Sequence, residues 1–193
     1  MIGKWIGGMR CVLILTAAGK TWAQGYGLQE EQPPLRQLAE RRDTIWKRAM
    51  GDDYLAVAYR WAHEAAPKAK LVVNDFNVIE GGGKADALYR VVKSLKEAGA
   101  PVHAVGFQVH WSSRCPSKEK IVKNLNRFAV LGLDVHVTEM DVTISPLSGT
   151  EHEKLAEQAK IYRTVLEACF EVETFKVFQM WGFTDRHTRV IMP

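Results

Sequence analysis

Stretches in which apolar residues recur every three to four positions alternate along this chain with short runs that are apolar on both faces. Leu55, Ala58, Tyr59, Ala62 and Ala66 fall on one helical stripe, and Leu88, Val91, Val92, Leu95 and Ala98 on another. Ile121, Val122, Leu125, Phe128 and Ala129 repeat the pattern, as do Leu155, Ala159, Tyr162, Leu166 and Cys169. Apolar runs at 71–73, 104–107, 135–137 and 175–181 lie between and after these stretches. Strands apolar on both faces and separated by helices predict a parallel sheet covered by helices. Each strand starts roughly 30 to 40 residues after the last, the length of one βαβ unit.

Two of these strands end in groups able to do chemistry. Strict alternation along 134–141 puts Val135, Val137, Glu139 and Asp141 on one face, with Asp134, His136 and Thr138 on the other. In the preceding strand Gly106, Gln108 and His110 share a face. Two neighbouring strands are therefore expected to bring a carboxylate pair and an imidazole together.

Val-Gly-Phe-Gln-Val-His-Trp (105–111), Asp-Val-His-Val-Thr-Glu-Met-Asp-Val (134–142) and Gln-Met-Trp-Gly-Phe-Thr-Asp-Arg (179–186) resemble the last three barrel strands of the xylanases of glycoside hydrolase family 10. Leu-Val-Val-Asn-Asp-Phe-Asn-Val (71–78) resembles the strand before them, and the likeness runs from about Arg42 to Met192. The resemblance implies an α/β fold, a partial TIM (β/α)8 barrel holding roughly strands five to eight with their helices. It implies a retaining endo-1,4-β-xylanase acting on xylan or xylo-oligosaccharide, with Glu139 as nucleophile and His110 and Asp141 orienting it. Asn74 and Gln108 look like donors to sugar hydroxyls, and Trp181 like the indole on which the sugar stacks. No cofactor is implied.

Retaining glycosidases need a second carboxyl about 5 Å from the first. In the family it follows Trp-Asp-Val-Val-Asn at the end of the fourth strand. No such motif precedes Arg42, and Glu30 and Glu31 follow Leu28-Gln29 without an apolar lead-in. The chain is expected to hold the nucleophile half of the enzyme, inactive or weakly active alone. The alternative is a non-catalytic carbohydrate-binding or structural remnant that keeps Trp181. Three positions depart from the family pattern: Phe76 for tyrosine, Val109 for serine, and Arg189 where a second tryptophan is usual.

Composition narrows the alternatives. With 47% hydrophobic and 25% charged residues, the 193-residue chain has the make-up of a soluble globular protein. The net charge of +4 is spread without a basic stripe interleaved with aromatics, so no nucleic-acid partner is expected. Cys11, Cys115 and Cys169 are too scattered for a disulfide framework or a zinc site, and Cys169 reads as a core thiol. His136 and Glu139 do not read as a metal pair, because alternation sends them to opposite faces. Gly81-Gly82-Gly83-Lys84 fails as a phosphate loop, with Val78 and Ala85 where glycine and Ser or Thr are needed, and reads as a turn feeding a helix. Trp5, Trp46 and Trp61 read as packing or surface residues.

Lys4 and Arg10 precede an apolar run at 11–18 and the small residues near Ala23, an order that resembles a secretion signal. The run is too short to span a bilayer, and no membrane partner is expected. Residues 1–40 are expected to be a leader, signal-like or disordered, and 41–193 the C-terminal half of the catalytic barrel in an extracellular protein.

Overall fold

The computed structural model describes residues 12–16, 45–111 and 115–182. Five strands form one parallel sheet whose spatial order follows the chain: β1 (Val12–Thr16), β2 (Lys70–Phe76), β3 (Ala104–Trp111), β4 (Asp134–Val142) and β5 (Phe175–Met180). Helices α1 (Ile45–Met50) and α2 (Tyr54–Ala65) precede β2. The later strands are joined by α3 (Gly83–Glu97), α4 (Lys118–Ala129) and α5 (Glu151–Phe170). The helices and strands expected after residue 50 are all present.

β1 lies within the stretch that the sequence reading counts as a leader, signal-like or disordered, and in which it expects no strand. Val12–Thr16 instead pairs along β2, from Val12 opposite Lys70 to Thr16 opposite Asn74. An apolar run this short has no periodicity that marks it as a strand, and the pairing comes from a partner distant in sequence. Residues 17–44, with the expected boundary at 40, lie outside the described residues.

One face of the sheet packs on the helices. Leu71, Val73, Val105, Phe107, Val109, Val135 and Val137 meet Leu88 and Val92 of α3, Ile121, Leu125 and Phe128 of α4, and Ile161 and Val165 of α5 in a single buried core. The Phe128 ring stands edge-on to Phe107 at 5.4 Å and to Tyr89 at 5.7 Å, the arrangement the aromatic quadrupole favours. Cys169 lies in the same core, where burial pushes its thiol up to about 12. Thr150 and Glu153 close the start of α5 as a reciprocal capping box. Among the described residues no helix is long and apolar enough to cross a membrane.

β3 alternates regularly, whereas β4 does not. Gly106 lies opposite His136 and Phe107 opposite Val137, but Gln108 lies opposite Glu139, so Thr138 is an extra residue in a β-bulge. Val135 and Val137 before the bulge, and Met140 and Val142 after it, all belong to the helix-side core. The bulge shifts the phase by one residue and turns Glu139 and Asp141 to the inner face, beside His110. This corrects the expectation that both acids share a face with Val135 and Val137. Unbroken alternation would drive two carboxylates into the apolar layer, at a desolvation cost of several kcal/mol each.

Candidate functional site

All strands of a parallel sheet end on the same side, and loops and strand ends there form the usual site of a barrel or open α/β sheet. β2 contributes Asn74 near that end, β3 contributes Gln108 and His110, and β4 contributes Glu139 and Asp141. Trp181 follows β5, its backbone N–H donating to the Met140 carbonyl at 2.9 Å.

The imidazole of His110 bridges the two acids. Its Nε2 lies 3.4 Å from Glu139 Oε2, and its Nδ1 lies 3.0 Å from Asp141 Oδ1, as a close ion pair off the line of a straight hydrogen bond. Burial by itself lowers the proton affinity of His110. The contacts with Asp141 and then Glu139 outweigh it and raise the group to about 9. His110 is therefore an imidazolium at neutral pH. The other oxygen of Glu139, Oε1, accepts a long hydrogen bond from Asn74 Nδ2 at 3.4 Å, and Asn74 Oδ1 accepts one from the Thr138 hydroxyl at 2.6 Å. Trp181 stands edge-on to His110, with ring centres 6.1 Å apart and planes at 81°. Gln108 is half-buried and is the backbone neighbour of Glu139.

The structure thus brings Asn74, His110, Glu139, Asp141 and Trp181 into one cluster, with Gln108 beside it. A carboxylate held between a cationic ring and an amide donor is aimed. Next to an indole wall it suits attack on, or stabilisation of, a centre that becomes positive.

A second layer holds the strand end that carries Asn74. Lys84 of α3 is buried, its ammonium 3.0 Å from Asp75 Oδ1, bonded to the Phe76 carbonyl, and 3.3 Å above the centre of the Phe76 ring. Asn124 of α4 donates to the Val78 and Ile79 carbonyls at 2.8 and 3.1 Å, fixing a loop in which Asn77 adopts φ 54°. Sequence reading assigns Lys84 only to a flexible turn and passes over Asn124 and Thr138. The signal for Thr138 is nevertheless present, because the apolar positions of β4 step 135, 137, 140, 142. Phe76 lies opposite Gln108, whereas Val109 points into the helix-side core, so of these two departures only Phe76 borders the cluster.

The stated reason for rejecting a His136–Glu139 metal pair does not hold, since the bulge leaves both outside the helix-side core. Among the described residues there is no group of three or more His, Cys, Asp or Glu able to hold a metal ion. Trp46 and Trp61 are exposed. Glu30, Glu31 and Arg189 lie outside the described residues.

A family model for glycosyl hydrolase family 10 matches residues 28–190. Endo-1,4-beta-xylanase B of Thermotoga neapolitana is 41% identical over 149 residues, covering 77% of this chain and 43% of that protein. The endo-1,4-beta-xylanase of Geobacillus stearothermophilus is 33% identical over 155 residues, covering 76% and 47%. Among solved structures, native xylanase 10B from Thermotoga maritima superposes with a TM-score of 0.74 at 39% identity, over 79% of this chain and 47% of that one. Xylanase 10B from Thermotoga petrophila RKU-1 in complex with xylobiose gives 0.74 at 39% identity, over 79% and 46%. The chain spans about half the length of the curated relatives it matches.

Proposed function

As the chain belongs to glycosyl hydrolase family 10 and its parallel sheet is part of an α/β barrel, we propose that it carries the nucleophile half of a retaining endo-1,4-β-xylanase acting on xylan and xylo-oligosaccharides. The observation that carries this reading is the Glu139 carboxylate set between the His110 imidazolium and the Asn74 amide, with Asp141 on the far side of the imidazole. Glu139 attacks the anomeric carbon as the glycosidic C–O bond breaks, and the leaving oxygen takes a proton from a second carboxyl. Water later releases the sugar from the covalent glycosyl-enzyme. His110 and Asn74 hold Glu139 oriented, Asp141 holds His110, Gln108 binds sugar hydroxyls, and Trp181 forms the apolar floor; Asn74, fully buried, supports the carboxylate and does not meet the sugar hydroxyls that the family resemblance assigns to it. Residues 1–193 contain no Trp-Asp-Val-Val-Asn-Glu segment, so the proposal for this chain is confined to the attacking step.

That step can be tested without a general acid. A 2,4-dinitrophenyl 2-deoxy-2-fluoro-β-xylobioside has a leaving group that departs unprotonated and forms a long-lived glycosyl-enzyme. Mass spectrometry should find one added glycosyl unit on Glu139, and none in Glu139→Gln. A folded wild-type chain that stays unlabelled would sink the reading and leave sugar binding without hydrolysis. We also place the protein outside the cell, because polymeric xylan does not cross a membrane. Recovery of the native protein only from cytosol would redirect the proposal to short xylo-oligosaccharides.

A further inference from the structure

We infer that Thr138 is a positioning residue for the nucleophile, acting through Asn74; the inference rests on the attacking role proposed for Glu139. Asn74 is completely buried, and its amide has one neighbour at each end. Nδ2 faces Glu139 Oε1 at 3.4 Å, and Oδ1 faces the Thr138 hydroxyl at 2.6 Å. A half-turn of the amide would exchange these ends, setting a carbonyl oxygen against the carboxylate and taking away a donor. The orientation with nitrogen on Glu139 is compatible with burial only if something donates to Oδ1. Thr138 does so.

Two local features make the contact possible. The bulge lets consecutive residues, Thr138 and Glu139, reach the same amide, which unbroken alternation forbids. Gly106 supplies the space between them. A Cβ at that position would stand 2.5 Å from Asn74 Oδ1 and 2.8 Å from Thr138 Cγ2, closer than nonbonded atoms tolerate. The layer Asn74–Gly106–Thr138 is therefore a support for the attacking carboxylate, one level deeper than the sugar.

The experiment measures the rate of glycosyl-enzyme formation with the dinitrophenyl fluoro-xylobioside for wild type, Thr138→Val and Thr138→Ser, together with the NMR signals of the Asn74 side-chain amide. Thr138→Val keeps the shape and removes the hydroxyl, and should slow labelling about tenfold, the worth of one buried hydrogen bond, while shifting the Asn74 signals. Thr138→Ser restores a hydroxyl and should recover most of the rate. Equal labelling of wild type and Thr138→Val, or no recovery in Thr138→Ser, overturns the inference alone. An unlabelled wild type overturns the attacking role itself. If Thr138→Val does not fold, the wild type decides: the Thr138 hydroxyl proton should be protected from solvent exchange and close to the Asn74 amide, and rapid exchange refutes the contact.

Discussion

Raising the pH through the titration of His110 should remove a stabilising charge from the centre of the site. His110 titrates at about 9 in the folded chain against an ordinary 6.5, because Asp141 and Glu139 outweigh the cost of burial. The sign follows from linkage. A group whose folded-state proton affinity is raised contributes its full stability below 6.5, loses it progressively as the pH rises towards 9, and contributes nothing above. The gap between 9 and 6.5 converts, at about 1.36 kcal/mol per unit, to at most about 3 kcal/mol. Only 14% of the His110 side chain is exposed, so solvent screening removes little of it. Urea unfolding of wild type and His110→Gln at pH 6.5 and at about pH 10 gives the measurement, and the difference between the two proteins cancels the lysines and tyrosines that also titrate. The His110 ring protons, followed by NMR, should show the midpoint directly. A midpoint at or below 6.5, or an equal pH slope in His110→Gln, would refute the reasoning.

Three further outcomes follow from packing. Phe128→Ala empties the centre of the helix-side core, where the ring meets Phe107 and Tyr89, and should cost about 3–5 kcal/mol in urea unfolding; a loss under about 1 would mean the ring is not central. Lys84→Met leaves the partly buried Asp75 carboxylate without its cation and should cost about 3 kcal/mol, with part recovered when Asp75→Leu is added; no recovery would show that the pair is not the cause. Tyr59→Phe deletes the buried hydroxyl that donates to the Val72 carbonyl at 3.1 Å and should cost about 1 kcal/mol, whereas an unchanged midpoint would assign Tyr59 to packing alone.

The elements after residue 50 were legible because their periods are unambiguous: stripes such as Leu88-Val92-Leu95 fit only a helix, and Leu71-Val72-Val73 between two such stripes fits a buried strand. β1 was not, because Val12–Thr16 is a strand by virtue of its pairing with β2 and nothing local marks it. Of the cluster, His110, Glu139 and Asp141 were legible together, as they end adjacent strands. Strict alternation carried through Thr138 puts them on the wrong face. The correction was in view, since Val137 and Met140 are both apolar and three apart, and a regular strand keeps its core positions at even spacing. Lys84 was hidden for a different reason. Lysine is seldom buried, so without coordinates the solvated reading prevails, and only the Asp75 contact shows otherwise.

The bulge at Thr138 also makes β4 behave like a reading frame. Residues upstream of it are read in one phase and those downstream in the other, so the strand's meaning depends on where the bulge sits as well as on its letters. Deleting Thr138 only removes the extra residue, leaving Glu139 opposite Gln108 and every later residue on its present face, whereas ironing the bulge flat with all residues kept exchanges the two faces of everything after Val137. Met140 would then meet the sugar side, and Asp141 the helices. Within this short window the bulge sets the frame, and losing it with every letter kept is as damaging as losing the carboxylate outright.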